Sequence, residues 1–228
     1  MGKIFLASLT AFLALAGCAG GSGPDRARPL SANPSAVIAA ELGFAQLAQT
    51  KGQWTAFRET STDAAMMFAP QPVNAHAFLK GKVNPPSAIK WQPHEVWMSC
   101  DGSIGITRGA WQGPAQIGYF TTVWQRQSDG AYKWILDQGD TLREASPEAE
   151  MIAASVADCP KRGSPQPPRQ AASVRPGLTV LAGASPDGTL VWETTVEPDG
   201  ARNFSAALWR GGKLEDVAIF EVAAPAAP

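Results

Sequence analysis

Near residue 88 the apolar residues of this chain change their spacing, which restricts it to a fold with helices first and strands after. Before that point they recur every three or four positions. Asn33-Pro34 is a helix-start signal, followed by a stripe of Val37, Ile38, Leu42, Ala45 and Ala48, widened by Phe44 and Leu47. This helix stops near Thr50-Lys51-Gly52, and a second, from Gln53 to about Glu59, carries Trp54 and Phe57 on one face. Ala64–Phe68 reads as a short strand, and Asn74 to Lys80 as a third short helix ended by Gly81. Beyond residue 88 the period is two, predicting strands over His94–Cys100, Ser103–Trp111, Ile117–Arg126 and Tyr132–Asp140. Asp101-Gly102 and Asp129-Gly130 join them as hairpins, because glycine tolerates the positive φ of a tight turn. The expected class is therefore α+β, with an antiparallel sheet behind three helices.

The remaining sequence is read in four pieces. A helix is expected from Ser146-Pro147-Glu148 to near Asp158, with carboxylates favoring its first turn. Residues 160–177 hold five prolines and four cations without an acid, the pattern of a linker. Strands then follow at Leu178–Ala182, Thr189–Glu197, Ala201–Arg210 and Lys213–Val222, a β-meander punctuated by Asp187-Gly188, Asp199-Gly200 and Gly211-Gly212. A unit of 178–222 is too short to bury a sturdy core alone, so it is expected to lie against the first unit, and 223–228 is expected to be a disordered tail. No internal repeat at a fixed period is visible.

The N-terminus carries an address. Lys3 precedes an apolar run from Ile4 to Ala16. At about 1.5 Å per residue that run reaches about 20 Å, short of a bilayer core of about 30 Å, as expected of a secretory signal. It ends in Leu15-Ala16-Gly17-Cys18, which resembles the lipobox of bacterial lipoproteins. The resemblance implies a signal peptide over 1–17, lipidation of Cys18, and a tether over 18–33 leading to a domain over 34–145. Several acyl chains at about 0.8 kcal/mol per methylene make a stable anchor. The expectation is a lipid-anchored, periplasm-facing protein of the bacterial envelope. Ala19 in place of an aspartate retention signal favors the outer membrane.

Composition then narrows the chemistry. With 19 Lys+Arg against 20 Asp+Glu, the chain lacks the cationic excess on which nucleic-acid binding rests. Two histidines and three cysteines leave little for a metal site: His94 and Cys100 lie about 20 Å apart along one strand, so no metal and no other cofactor is expected. Cys100 and Cys159 remain after Cys18, a pair in an oxidizing compartment without Cys-x-x-Cys spacing, and a structural disulfide is expected. Closing such a loop contributes on the order of 4 kcal/mol in the chain-entropy model, less any strain.

From Ala40 to Asp140 the chain resembles the nuclear transport factor 2-like superfamily, the cone fold of SnoaL-like cyclases and ketosteroid isomerase. The likeness is carried by Phe44–Ala48, Trp54–Phe57, Thr62–Pro70, Ser99–Trp111, Gly118–Trp124 and Asp129–Asp137. It implies helices in the concavity of a strongly bent antiparallel sheet, a cavity at the open end, and in many members a homodimer formed through the sheet. It is weak for activity, because this fold hosts isomerases, cyclases, hydrolases and plain binders.

Four residues are candidates to line the pocket: Trp91, His94, Tyr119 and Asp137. An isomerase would use Asp137 as base and Tyr119 or His94 as hydrogen-bond donor. The plainer readings are an Asp137 tied to backbone, a half-buried Tyr119, a surface His94 and a polar His76 on its helix. A hydrolase triad is unsupported, since Arg108 has no acid two residues away, and no Gly-x-Ser-x-Gly occurs. The eight tryptophans either fill cores or, two or three of them, line an aromatic cavity. The favored function is non-catalytic binding of a small apolar or aromatic ligand, or of a protein partner. The alternatives are a structural envelope module, and a lyase or isomerase using Asp137 and Tyr119.

Overall fold

The computed structural model describes residues 31–145, 149–161, 163–168 and 175–225. The lipobox at Cys18 and most of the tether lie outside the described residues, as do 226–228 of the tail and parts of the Pro-rich linker. No helix among the described residues is long and apolar enough to cross a membrane.

Helix α1 (Pro34–Lys51) opens on proline, whose missing N–H would find no helical partner there anyway. It is followed by α2 (Gln53–Thr60), β1 (Ser61–Phe68), β2 (Pro72–Asn74) and α3 (Ala75–Leu79), whose Ala77 N–H is capped by the Asn74 side chain at 2.9 Å. The main strands are β3 (Lys90–Met98), β4 (Ile104–Gln112), β5 (Ile117–Arg126) and β6 (Tyr132–Leu142). A short β7 (Ala153–Val156) precedes the meander of β8 (Thr179–Ala184), β9 (Leu190–Val196), β10 (Arg202–Arg210) and β11 (Lys213–Val222).

Two sheets result: a seven-stranded one in the order β2-β1-β6-β5-β4-β3-β7, and a four-stranded antiparallel one, β11-β10-β9-β8. The first is mixed where an antiparallel sheet was expected, because β1 runs parallel to β6 and β7 parallel to β3. The helix expected to end near Asp158 is a second correction. Residues 146–148 lie outside the described ones, but Ala153–Val156 is a strand, aligned from Glu95↔Ala153 to Met98↔Val156. The free edge of β3 supplies backbone partners, and Ala157 N–H adds a bond to Met98 O at 2.9 Å, so pairing overrides the local helix signals. Strand β3 also starts earlier than expected. It absorbs Pro93 with a bulge between Pro93 and Glu95, opposite Gly109, where a Cβ would strike Gln92 O.

The strands' two faces serve two cores. Val96, Met98, Trp124 and Trp134 face the helices and meet Val37, Phe44, Ala48 and Phe57. Trp97, Ile106, Val123 and Leu136 face the meander and meet Leu190, Phe204 and Leu208. The molecule is thus three layers, helices, large sheet and small sheet, and the meander shares its core with the first unit.

Matching turns bind the two sheets at one end. Ser99-Cys100-Asp101-Gly102-Ser103 and Ser185-Pro186-Asp187-Gly188-Thr189 fold alike, each aspartate accepting from the serine hydroxyl two residues before it at 2.6 Å. They interlock: Cys100 N–H donates to Thr189 Oγ1 at 2.8 Å, and Asp101 N–H to Asp187 Oδ2 at 2.9 Å. Cys100 is disulfide-bonded to Cys159, with Cα atoms 5.2 Å apart, which fastens the chain after β7 to the same corner. Cys159→Ser is expected to lower stability by about 3 kcal/mol. Urea unfolding under oxidizing conditions measures it, and a loss under about 1 kcal/mol would mean that the interlocked turns hold the corner without the bridge.

Candidate functional site

The site grows from the buried stripe of α1. That stripe is Val37, Glu41, Phe44 and Ala48, at steps of four, three and four, and it presses against β3 and β4. Gly105 of β4 permits the approach, since a Cβ there would sit 2.8 Å from Val37 Cγ2. A glutamate therefore enters the core at a position where the period asks for an apolar residue. Leu42, counted in the expected stripe, is 43% exposed instead.

Glu41 is fully buried, and the sheet provides donors for it. Trp91 Nε1–H of β3 donates to Oε1 at 2.7 Å, while Thr107 Oγ1–H of β4 and Trp124 Nε1–H of β5, at 3.0 Å, donate to Oε2. Burial raises the pKa of Glu41 above the usual carboxylate range, and these donors pull it partly back.

Asp137 of β6 is the second acid. Thr122 stands opposite it on β5 and donates from Oγ1 to Asp137 Oδ2 at 2.7 Å. Thr122 also lies near Glu41 and contributes the smallest of the pulls that favor its charged form. Burial, opposed by the Thr122 bond and reinforced by the charge of Glu41, pushes Asp137 up to about 7. Among the described residues neither acid has a cationic partner within ion-pair distance.

Asp137 differs from Glu41 in access. It lies deep among protein atoms, yet part of its surface reaches a cavity of about 340 Å³. The walls of that cavity include Phe44, Phe57, Trp91, Trp111 and Phe120, with Ile89 beside them. Phe44, Phe57 and Trp91 stand 4.8–6.4 Å apart with their planes mutually inclined by 64–72°, so they form a corner rather than a stack.

Two of the four expected pocket residues, Trp91 and Asp137, line this cavity. Tyr119 does not, and the expected Asp137–Tyr119 pair is corrected. Tyr119 lies three residues from Thr122 along β5, hence on the other face. Its hydroxyl donates to Glu221 O of β11 at 3.0 Å and its ring lies 6.3 Å from Phe220. His94 is not beside Asp137 either: it falls in the β3 bulge and borders a neighboring cavity of about 460 Å³ with Lys90, Gln92 and Leu142. His76 Nε2 is 2.9 Å from the buried Ser61 Oγ, away from both cavities. Among the described residues no group of three His, Cys, Asp or Glu is placed to hold a metal ion. Glu41 and Thr107 escaped the sequence reading. The available signal was an acid in register with Val37, Phe44 and Ala48.

No protein-family model matches the chain. No curated protein matches it. Solved structures do. A provisionally assigned ketosteroid isomerase from Parabacteroides distasonis aligns at 18% identity and TM-score 0.38, covering 51% of this chain and 98% of its own. Another from Shewanella frigidimarina aligns at 16% identity and TM-score 0.35, over 46% of this chain and 97% of its own. An NTF-2-like protein of unknown function from Burkholderia xenovorans aligns at 15% identity and TM-score 0.33, over 50% of this chain and 91% of its own. At such identities and TM-scores they bear on neither activity nor ligand.

Proposed function

We propose that this protein binds a small amphipathic molecule in the aromatic cavity and holds it without chemical change. The cavity itself carries the reading: five aromatic side chains line it, and Asp137 lies at its wall with one carboxyl oxygen unbonded. In this reading α1 and α2 occupy the hollow of a cone whose shell is the large sheet, and the cavity is what the helices leave unfilled. Catalysis by proton transfer would need a donor facing Asp137 across the ligand. Tyr119 is on the far face, and the Trp91 N–H is already given to Glu41. A solid structural module is a poorer description, because the cavity is open and the apolar face of the meander is occupied by the large sheet. We further propose that lipidated Cys18 tethers the domain to the envelope through residues 19–33.

The test is binding of the neutral dye N-phenyl-1-naphthylamine, read by its emission and by quenching of tryptophan fluorescence. Micromolar binding is expected, and Ile89→Trp, which enlarges a lining side chain, is expected to weaken it at least tenfold with the melting temperature held within a few degrees. Absence of binding by the folded wild-type protein, or binding unaffected by Ile89→Trp, overturns the reading.

A further inference from the structure

The geometry points to a cationic ligand, an alkylated ammonium head seated in the corner of Phe44, Phe57 and Trp91 with Asp137 beside it. This rests on the cavity being a binding site, as proposed above, and adds what charge its occupant carries. Three observations converge. The first is the wall: Phe44, Phe57 and Trp91 line the cavity together, packed edge to face with their planes steeply inclined, so a cation beside Asp137 has aromatic rings within reach. The second is charge. The residues lining the cavity include Asp137 and Asp140 and no Lys, Arg or His; Lys90 and His94 border the neighboring cavity. Asp140, on the same strand, is within electrostatic reach of Arg202, which leaves Asp137 as the uncompensated acid. The third is the hydrogen-bond inventory. Asp137 Oδ2 receives the Thr122 hydroxyl, while Oδ1 has no bond from a described residue, and the side chain keeps its access to the cavity.

Behind Asp137 stands Glu41, whose acceptor oxygens are taken by Trp91, Thr107 and Trp124. Glu41 therefore offers a ligand no contact. An anionic ligand would meet Asp137 with no cation in the lining to offset it, and a neutral one would leave that acid without a counter-charge. An ammonium carrying methyl groups matches both wall types: its charge interacts with Asp137 and the rings, and its apolar surface lies against aromatic carbon.

The probes are choline and its neutral carbon isostere 3,3-dimethyl-1-butanol, titrated into the full-length protein at constant ionic strength and followed by tryptophan fluorescence and calorimetry. Choline is expected to bind at least about tenfold tighter than the isostere, the preference that about 1.4 kcal/mol of cation–aromatic and charge attraction supplies. Asp137→Asn, checked for folding by circular dichroism, is expected to reduce this preference severalfold. Phe57→Leu, which keeps apolar bulk but removes one ring, is expected to weaken choline selectively. Equal affinity for the two probes overturns the cationic ligand and leaves the cavity reading intact, as does a preference that survives Asp137→Asn. Binding of neither probe overturns it too, and if N-phenyl-1-naphthylamine also fails to bind, the cavity reading falls with it.

Discussion

Glu41→Ala is expected to lower the unfolding free energy by about 4 kcal/mol. The loss comes less from the glutamate than from what it leaves behind. Trp91 Nε1, Thr107 Oγ1 and Trp124 Nε1 all donate to its carboxyl group from inside the core. A buried donor without an acceptor costs about 1–3 kcal/mol. Trp124 Nε1 is also 3.0 Å from Thr107 Oγ1, and Thr107 Oγ1 has Thr122 O at 3.5 Å, so Trp91 Nε1 is the donor left with no partner and the other two keep weaker ones. The emptied volume adds a cavity term under Phe44. Against a typical domain stability of about 5–15 kcal/mol, the variant sits near the edge of folding. Urea unfolding followed by far-ultraviolet circular dichroism measures the loss, and the near-ultraviolet signal reports the change in tryptophan packing. Glu41→Gln separates acceptor from charge: one amide oxygen still accepts, while the amide NH₂ faces an indole N–H, so an intermediate loss is expected. A cost below about 1 kcal/mol for Glu41→Ala would mean that the carboxyl group does not organize the indoles.

The same glutamate shows where sequence reasoning stops. Hydrophobic periodicity locates α1 because Val37, Phe44 and Ala48 repeat on one face, yet it discounts Glu41, which occupies the next place on that face. A buried acid is tolerated only where three donors from three strands meet it, and that convergence is a property of the sheet order, not of local sequence. The hairpins are legible for the opposite reason: Asp-Gly turns and period-two alternation are local, and β4, β5, β9, β10 and β11 fall close to their expected ranges. Strand β7 is not legible, since the glutamates before it and its own alanines suit a helix and only the vacant edge of β3 makes it a strand. Tyr119 and Asp137 are on adjacent strands, but register decides their faces. Tyr119 aligns with Asp140 and Thr122 with Asp137, three residues further along β5, so the two candidate catalytic groups point to opposite layers.

Asp137→Asn is expected to abolish most of a pH dependence of stability that the wild-type protein shows between about pH 4 and 7. In the unfolded chain Asp137 titrates near its ordinary value, 3.8, whereas in the fold burial, with Glu41 adding to it, holds the value at about 7. Between those values the native state keeps a proton that the unfolded state has released. Proton linkage then makes the native state less stable as pH rises through the window, by about 1.4 kcal/mol per unit, and the slope vanishes above and below it. The full interval corresponds to about 4 kcal/mol, a ceiling because Asp137 retains some contact with water in the cavity. The amide that replaces the carboxyl group has nothing to titrate. The variant is expected to be somewhat less stable than wild type at pH 5, where the protonated acid and the amide differ only in hydrogen-bonding detail with Thr122, and more stable by about 2–3 kcal/mol at pH 8. A smaller residual slope of the same sign should persist from Glu41, whose pKa burial also raises. The measurement is the difference between the two proteins' unfolding free energies across this range, which cancels the titration of shared surface carboxylates. Parallel curves for the two proteins would show that Asp137 is ionized in the fold at neutral pH, with a counter-charge from somewhere in the chain, and would remove the uncompensated acid on which a preference for cationic ligands depends.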